Sequence, residues 1–147
     1  MNNEIEIQKQ IEQSITLKRY LQSNTSLLTT IAEQIVKVFQ NGNKVMIFGN
    51  GGSASDAQHI AAEMMGSYYR ERSPLPAIAL NCDTSCLTAI ANDYSYSDIF
   101  IRQIKGLIKK GDAVIGISTS GNSNNVILGI EEAKKLGAVT FAFTGSG

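Results

Sequence analysis

Lys44-Val45-Met46-Ile47-Phe48-Gly49-Asn50-Gly51-Gly52-Ser53 decides the fold. A short apolar, β-prone run ends in a glycine-rich turn, and a helical pattern follows from about Ser55 to Tyr69. Strand, glycine turn and helix in that order open a βαβ unit. The alternation then repeats. Pro76 opens an apolar run from Ala77 to Leu80, and helical patterns follow from about Asp83 to Ala91 and from about Ser97 to Lys109. Ala113 to Ile117 reads as a third strand, leading into the polar loop Ser118-Thr119-Ser120-Gly121-Asn122-Ser123. A helix from about Asn124 to Leu136 and a fourth strand from Val139 to Phe143 complete the pattern. Strands alternating with helices predict an α/β fold, a three-layer sandwich around a central parallel sheet.

Upstream of the first strand, Ile7, Ile11 and Ile15, with Leu17 and Leu21 beside them, predict an amphipathic helix over residues 4 to 22. Ser23-Asn24-Thr25-Ser26 breaks it and offers N-caps to a second helix, whose apolar face runs from Leu27 to Phe39 and which ends at Gly42. These two helices read as a packing or oligomerisation layer. The 147 residues thus form one domain, with N-terminal helices over about 1–42 and the sheet part over about 43–147. Thr144-Gly145-Ser146-Gly147 stands where another helix is expected, so the last βα unit reads as C-terminally incomplete.

Composition narrows the class. Thirteen basic and 13 acidic side chains cancel, which removes the basic surplus that phosphate-neutralising nucleic-acid binders need. Apolar runs are strand-sized and too short for a bilayer. The N-terminal Met-Asn-Asn-Glu-Ile-Glu-Ile has no leader pattern, and Cys82 and Cys86 stand alone as C-x3-C, so a cytoplasmic protein with reduced, buried thiols is expected.

In an open parallel sheet, ligands gather at the loops leaving the carboxyl ends of the strands. Asn50-Gly51-Gly52-Ser53 follows the first strand, and Ser118 to Ser123 presents four hydroxyls after the third. Glycine backbone, helix N-termini and hydroxyls hold a phosphate monoester without a lysine or arginine. Two such loops at equivalent strand ends predict a phosphorylated small molecule as ligand. Neither loop matches a nucleotide fingerprint. His59, the only histidine, precedes Glu63 by one helical turn, and both fall roughly opposite the stripe Ala57, Ile60, Ala61 and Met64. The pair is either solvated or supplies two metal ligands, with Glu63 available as a general base. Asn92-Asp93 ends a helix on the ligand side of the sheet. Tyr68, Tyr69, Tyr94 and Tyr96 read as packing or subunit-contact residues.

Taken together, Gly49 to His59, Ala62-Glu63, Ala89 to Tyr94 and Gly116 to Ser123 resemble the sugar isomerase (SIS) domain and, within it, the phosphoheptose isomerases. The resemblance runs from the first helix to Gly147 and implies a flavodoxin-like sheet. It also implies conversion of the seven-carbon sugar phosphate sedoheptulose 7-phosphate to D-glycero-D-manno-heptose 7-phosphate, an entry step to lipopolysaccharide and other surface heptose. Carried over residue by residue, it places Asn50, Gly51, Gly52, Ser53, Asn92, Asp93, Ser118, Thr119, Ser120 and Ser123 around the substrate. Glu63 would be the catalytic acid/base and would touch substrate too, and His59 and Glu63 would ligate one zinc per subunit. A second histidine and a glutamine would lie beyond Gly147, so residues 1–147 alone are expected to be inactive. Ser67 stands where relatives often carry arginine. A homotetramer is implied, with sites at subunit interfaces. The alternatives are a non-catalytic SIS module that associates with a replication initiator protein, and a sugar-phosphate sensor.

Overall fold

The structure is a computed structural model that describes residues 3–145. Ser146 and Gly147, the end of the segment on which the expectation of an incomplete last unit rests, lie outside the described residues. The chain divides into two compact units, residues 1–36 and 37–147.

The first unit holds α1 (Asn3–Ser23) and most of α2 (Thr25–Gln40). Asn24 makes the joint. Its N–H donates to the Leu21 carbonyl at 3.0 Å, its carbonyl accepts from Leu27 at 3.1 Å, and its side chain donates to the Tyr20 carbonyl at 2.8 Å. One helix is thereby closed and the next opened with the orphan groups satisfied. Both helices begin and end close to the sequence expectation. No α1 residue is buried, and Ile5, Ile7, Ile11, Ile15, Leu17 and Leu21 are exposed.

The second unit runs β1 (Val45–Gly49), α3 (Gly52–Met65), β2 (Ala77–Ala79), α4 (Thr84–Asp93), a 3-10 turn (Tyr96–Asp98), α5 (Ile99–Leu107), β3 (Ala113–Ser118), α6 (Asn124–Lys135) and β4 (Val139–Thr144). All four strands are parallel, in the order β2-β1-β3-β4. Every residue of β1 and β3 is buried, as a central strand covered on both faces requires. On one face Met46, Phe48 and Val114 pack against Ile90 of α4, Phe100 and Ile104 of α5, and Val126 and Ala133 of α6. The Phe48 and Phe100 rings stack with centroids 4.7 Å apart. On the other face α3 lies over β1 and β2, burying Ala57 and Ala61. Phe143 of β4 is 38% exposed, so the β4 edge of that face stays open.

Two of the expected helices differ in their bounds from the sequence expectation. α3 starts at Gly52 rather than Ser55, because Gly51 at φ +56° turns the chain straight out of β1. It ends at Met65 rather than Tyr69, since Gly66 leaves helical geometry and Tyr68 sits at φ +37°. The region expected as one helix from Ser97 to Lys109 is a 3-10 turn followed by α5. Ser95 makes that start: its hydroxyl accepts from the Ser97 N–H and donates to the Asp98 carboxylate. Cys82 is exposed rather than buried, because it precedes α4 instead of lying on its inner face.

At the amino ends of the strands Asp112 acts as a staple. Its carboxylate accepts from the Lys44 ammonium, from the Lys44 N–H at 3.1 Å and from the Lys109 N–H at 2.7 Å. Burial by itself would raise the carboxyl pKa. The Lys44 side-chain hydrogen bond, the two backbone N–H donors and the Lys44 charge outweigh it and hold the group below its ordinary value.

Candidate active site

The chain leaves β1 toward β2 on one side and returns to β3 on the other, so the crevice between the tips of β1 and β3 is the topological switch point. Gly49 pairs with Ile117 there. A β-carbon on Gly49 would come within 2.7 Å of both the Ile117 carbonyl and the Ser53 Cβ, so only glycine lets the loop close on β3. β2 is too short to pair with Gly49. The Asn81 side chain takes its place, donating to the Gly49 carbonyl at 2.8 Å and accepting from the Gly49 N–H at 3.3 Å. Ser53 is buried in the first turn of α3, while Gly51 and Gly52 are exposed at the helix mouth.

The sequence pattern assigns neither of the residues that grip Asn50 to this crevice. Its Nδ2 donates to Asn125 Oδ1 at 2.8 Å, Asn125 Nδ2 returns a bond to Asn50 Oδ1 at 3.0 Å, and the Tyr96 hydroxyl donates to the same oxygen at 3.0 Å. The four tyrosines, read from the sequence as packing or subunit-contact residues, are all more than half exposed in this chain, and Tyr96 also serves this crevice. In the β3 loop the Ser118 hydroxyl donates to the Ser123 hydroxyl at 3.0 Å, and the Asn122 N–H donates to Ser120 at 3.2 Å. Thr119 and Ser120 are exposed, and the Thr119 carbonyl accepts from Gly145 at 3.2 Å. Asn50 and Ser120 therefore follow the tips of adjacent strands. Asn92 donates to Asp93 at 2.9 Å at the end of α4, on the opposite layer from α3.

His59 and Glu63 lie on the flank of α3, Nε2 to Oε1 3.3 Å apart, with side chains 72% and 40% exposed. They do not face directly away from the apolar stripe. Asp56, His59, Ile60, Glu63 and Met64 line one side of an open cavity of about 600 Å³, facing Ile117 of β3 and the exposed Phe143 of β4. The strand-tip residues are not in that lining, although Ser118 follows Ile117 directly. Arg72 anchors the rim by donating to the carbonyls of Glu63 and Met64 at 2.8 Å each and of Ser73 at 3.1 Å, capping the carboxyl end of α3. Tyr68 closes the rim, its phenol pKa raised by a hydrogen bond with Tyr69, by desolvation and by the Glu63 charge.

Zinc takes four ligands in structural sites and three plus water in catalytic ones. His59 and Glu63 point the right kinds of donor at one another, but among the described residues no group of three or more histidine, cysteine, aspartate or glutamate side chains is placed to hold a metal ion. The described donors do not complete a zinc site.

A parallel sheet with this strand order, glycine and serine loops at its switch point and a preceding helical pair is the architecture of a sugar isomerase domain. The sequence profile of the SIS domain matches residues 10–145, so the chain belongs to that family. Within it, the chain belongs with the phosphoheptose isomerases. The phosphoheptose isomerase of Thermodesulfovibrio yellowstonii is 55% identical over 145 residues, covering 98% of this chain and 72% of the relative. That of Aquifex aeolicus is 58% identical over 118 residues, covering 80% and 62%. The structure of a phosphoheptose isomerase from Francisella tularensis superposes with a TM-score of 0.93 at 36% identity, covering all of this chain and 78% of that one.

Proposed function

We propose that this chain carries the aldose–ketose isomerisation of sedoheptulose 7-phosphate to D-glycero-D-manno-heptose 7-phosphate, in heptose supply for surface polysaccharide such as lipopolysaccharide. The observation that supports it best is Glu63: a half-exposed carboxylate at an open cavity that runs up to the strand whose tip carries Ser118, Thr119 and Ser120. The reaction moves a proton between adjacent carbons through an enediol. A carboxylate takes the C1 proton of the ketose and delivers it to C2, while the oxygens exchange a proton, with no net oxidation. Glu63 is the residue for that transfer. Gly51, Gly52 and Ser53 at the mouth of α3, with Ser118, Thr119, Ser120 and Ser123 before α6, hold the phosphate and sugar hydroxyls through amides, hydroxyls and the helix ends. Asn50 orders the first loop, and Asn92 and Asp93 contact the sugar.

In this reading His59 and Glu63 contribute two ligands to a zinc ion, which when bound supplies Lewis-acid polarisation of the substrate oxygen. The working assembly is a homotetramer in the cytoplasm, joined partly through the exposed Ile and Leu residues of α1. None of the described helices is long and apolar enough to cross a membrane. The deciding assay incubates the natural full-length protein and its E63Q variant with sedoheptulose 7-phosphate and follows aldose formation. Turnover by the wild type and a loss of at least about 100-fold in E63Q is the expected result; equal rates remove Glu63 from the mechanism.

A further inference from the structure

We infer that Asn125 and Tyr96 are positioning residues for substrate binding, acting through Asn50; this rests on the isomerase reading above. The Asn50 and Asn125 side chains form a closed amide ring, each donating to and accepting from the other, at 2.8 and 3.0 Å. The Tyr96 hydroxyl takes the remaining lone pair of Asn50 Oδ1 at 3.0 Å, leaving that oxygen no capacity for substrate. Asn50 therefore offers a ligand one Nδ2 hydrogen and its backbone, in an orientation fixed by its two partners. Asn125 is 4% exposed at the second position of α6, where a lone amide would be costly and a paired one is rigid. The neighbouring Asn124 donates to Ser97 at 3.1 Å, so the 96–97 turn is tied both to Asn50 and to the start of α6. The ring spans the switch point. It latches the loop after β1 to the helix after β3 before any ligand arrives, and removes the ordering cost that a mobile glycine loop would otherwise impose on binding. Since Asn50 belongs to the gripping loop and not to the proton transfer, the latch acts on affinity and not on the chemical step.

The test uses the natural full-length protein. Binding of sedoheptulose 7-phosphate is read by calorimetry as Kd, and turnover as kcat and KM, for wild type, N125A, N50A, the N50A/N125A double variant and Y96F. N125A raises Kd and KM roughly tenfold with kcat within about twofold, and the double variant is no worse than either single one. Y96F, which removes only a hydroxyl from an exposed ring and leaves folding alone, raises both about threefold. Unchanged Kd in both N125A and Y96F overturns the inference, as do N50A and N125A effects that multiply. A wild type that binds the sugar phosphate without converting it overturns the isomerase reading alone, and the Kd series still decides the latch.

Discussion

Single residues carry the sharpest consequences. At Gly49 a methyl group meets the Ile117 carbonyl and the Ser53 Cβ at 2.7 Å, both backbone-anchored, so neither retreats. G49A is expected to cost about 1–3 kcal/mol, measured by urea denaturation, through overpacking at the strand tip. At His59 the expected outcome concerns metal: calorimetric titration of the full-length protein with zinc shows uptake that H59A weakens by at least about 10-fold. Retained uptake in H59A removes that ligand from the proposal. The i,i+4 placement of His59 and Glu63 was legible in the sequence, because helical geometry alone puts such residues side by side. Asn125, Tyr96 and Asn81 were not: they meet the tip of β1 and the loop after it across 75, 46 and 32 positions of chain, distances over which no local periodicity speaks.

Among elements, strand and helix types followed from apolar spacing, and the ends that moved were those governed by backbone geometry. The shift in α3 comes from Gly51 and Gly66, whose φ and ψ belong to the turn and not to the hydrophobic pattern. The strands also depend on a charged partner that apolar spacing does not reveal. Asp112, directly before β3, ties Lys44, directly before β1, to Lys109 in the α5–β3 connection. Its carboxyl has a lower pKa folded than the roughly 3.9 of an unfolded aspartate, so the folded state binds the proton less well. The stabilisation is complete above that unfolded value and is lost as pH falls through the folded one. D112N is expected to lower stability by about 2–3 kcal/mol at neutral pH and to flatten the acid limb of a stability–pH curve. The site lies at the other end of the strands, so the variant's KM at 20 °C stays near that of the wild type.

At the level of the whole molecule, the leading helices are the part that a single chain does not explain. Ile7, Ile11 and Leu21 are exposed in α1 at spacings that make one stripe, which for a monomer is an open apolar surface. Light scattering after size exclusion is expected to find the protein associated, and the double variant I11K/L21K to shift it to a smaller species with the far-ultraviolet spectrum of the sheet domain retained. An unchanged mass removes α1 from the assembly. The strand order has a separate consequence in time. Val45–Gly49 sits in the middle of the sheet, yet its neighbour Ala113–Ser118 is synthesised long after it and seconds later at ribosomal speed. The nascent chain therefore carries a sticky, half-matched ribbon until translation has passed residue 118, and the crevice between the tips of β1 and β3 forms only after that. Slow codons between those two segments lengthen that exposure, and chaperone dependence of the newly made protein rises with them.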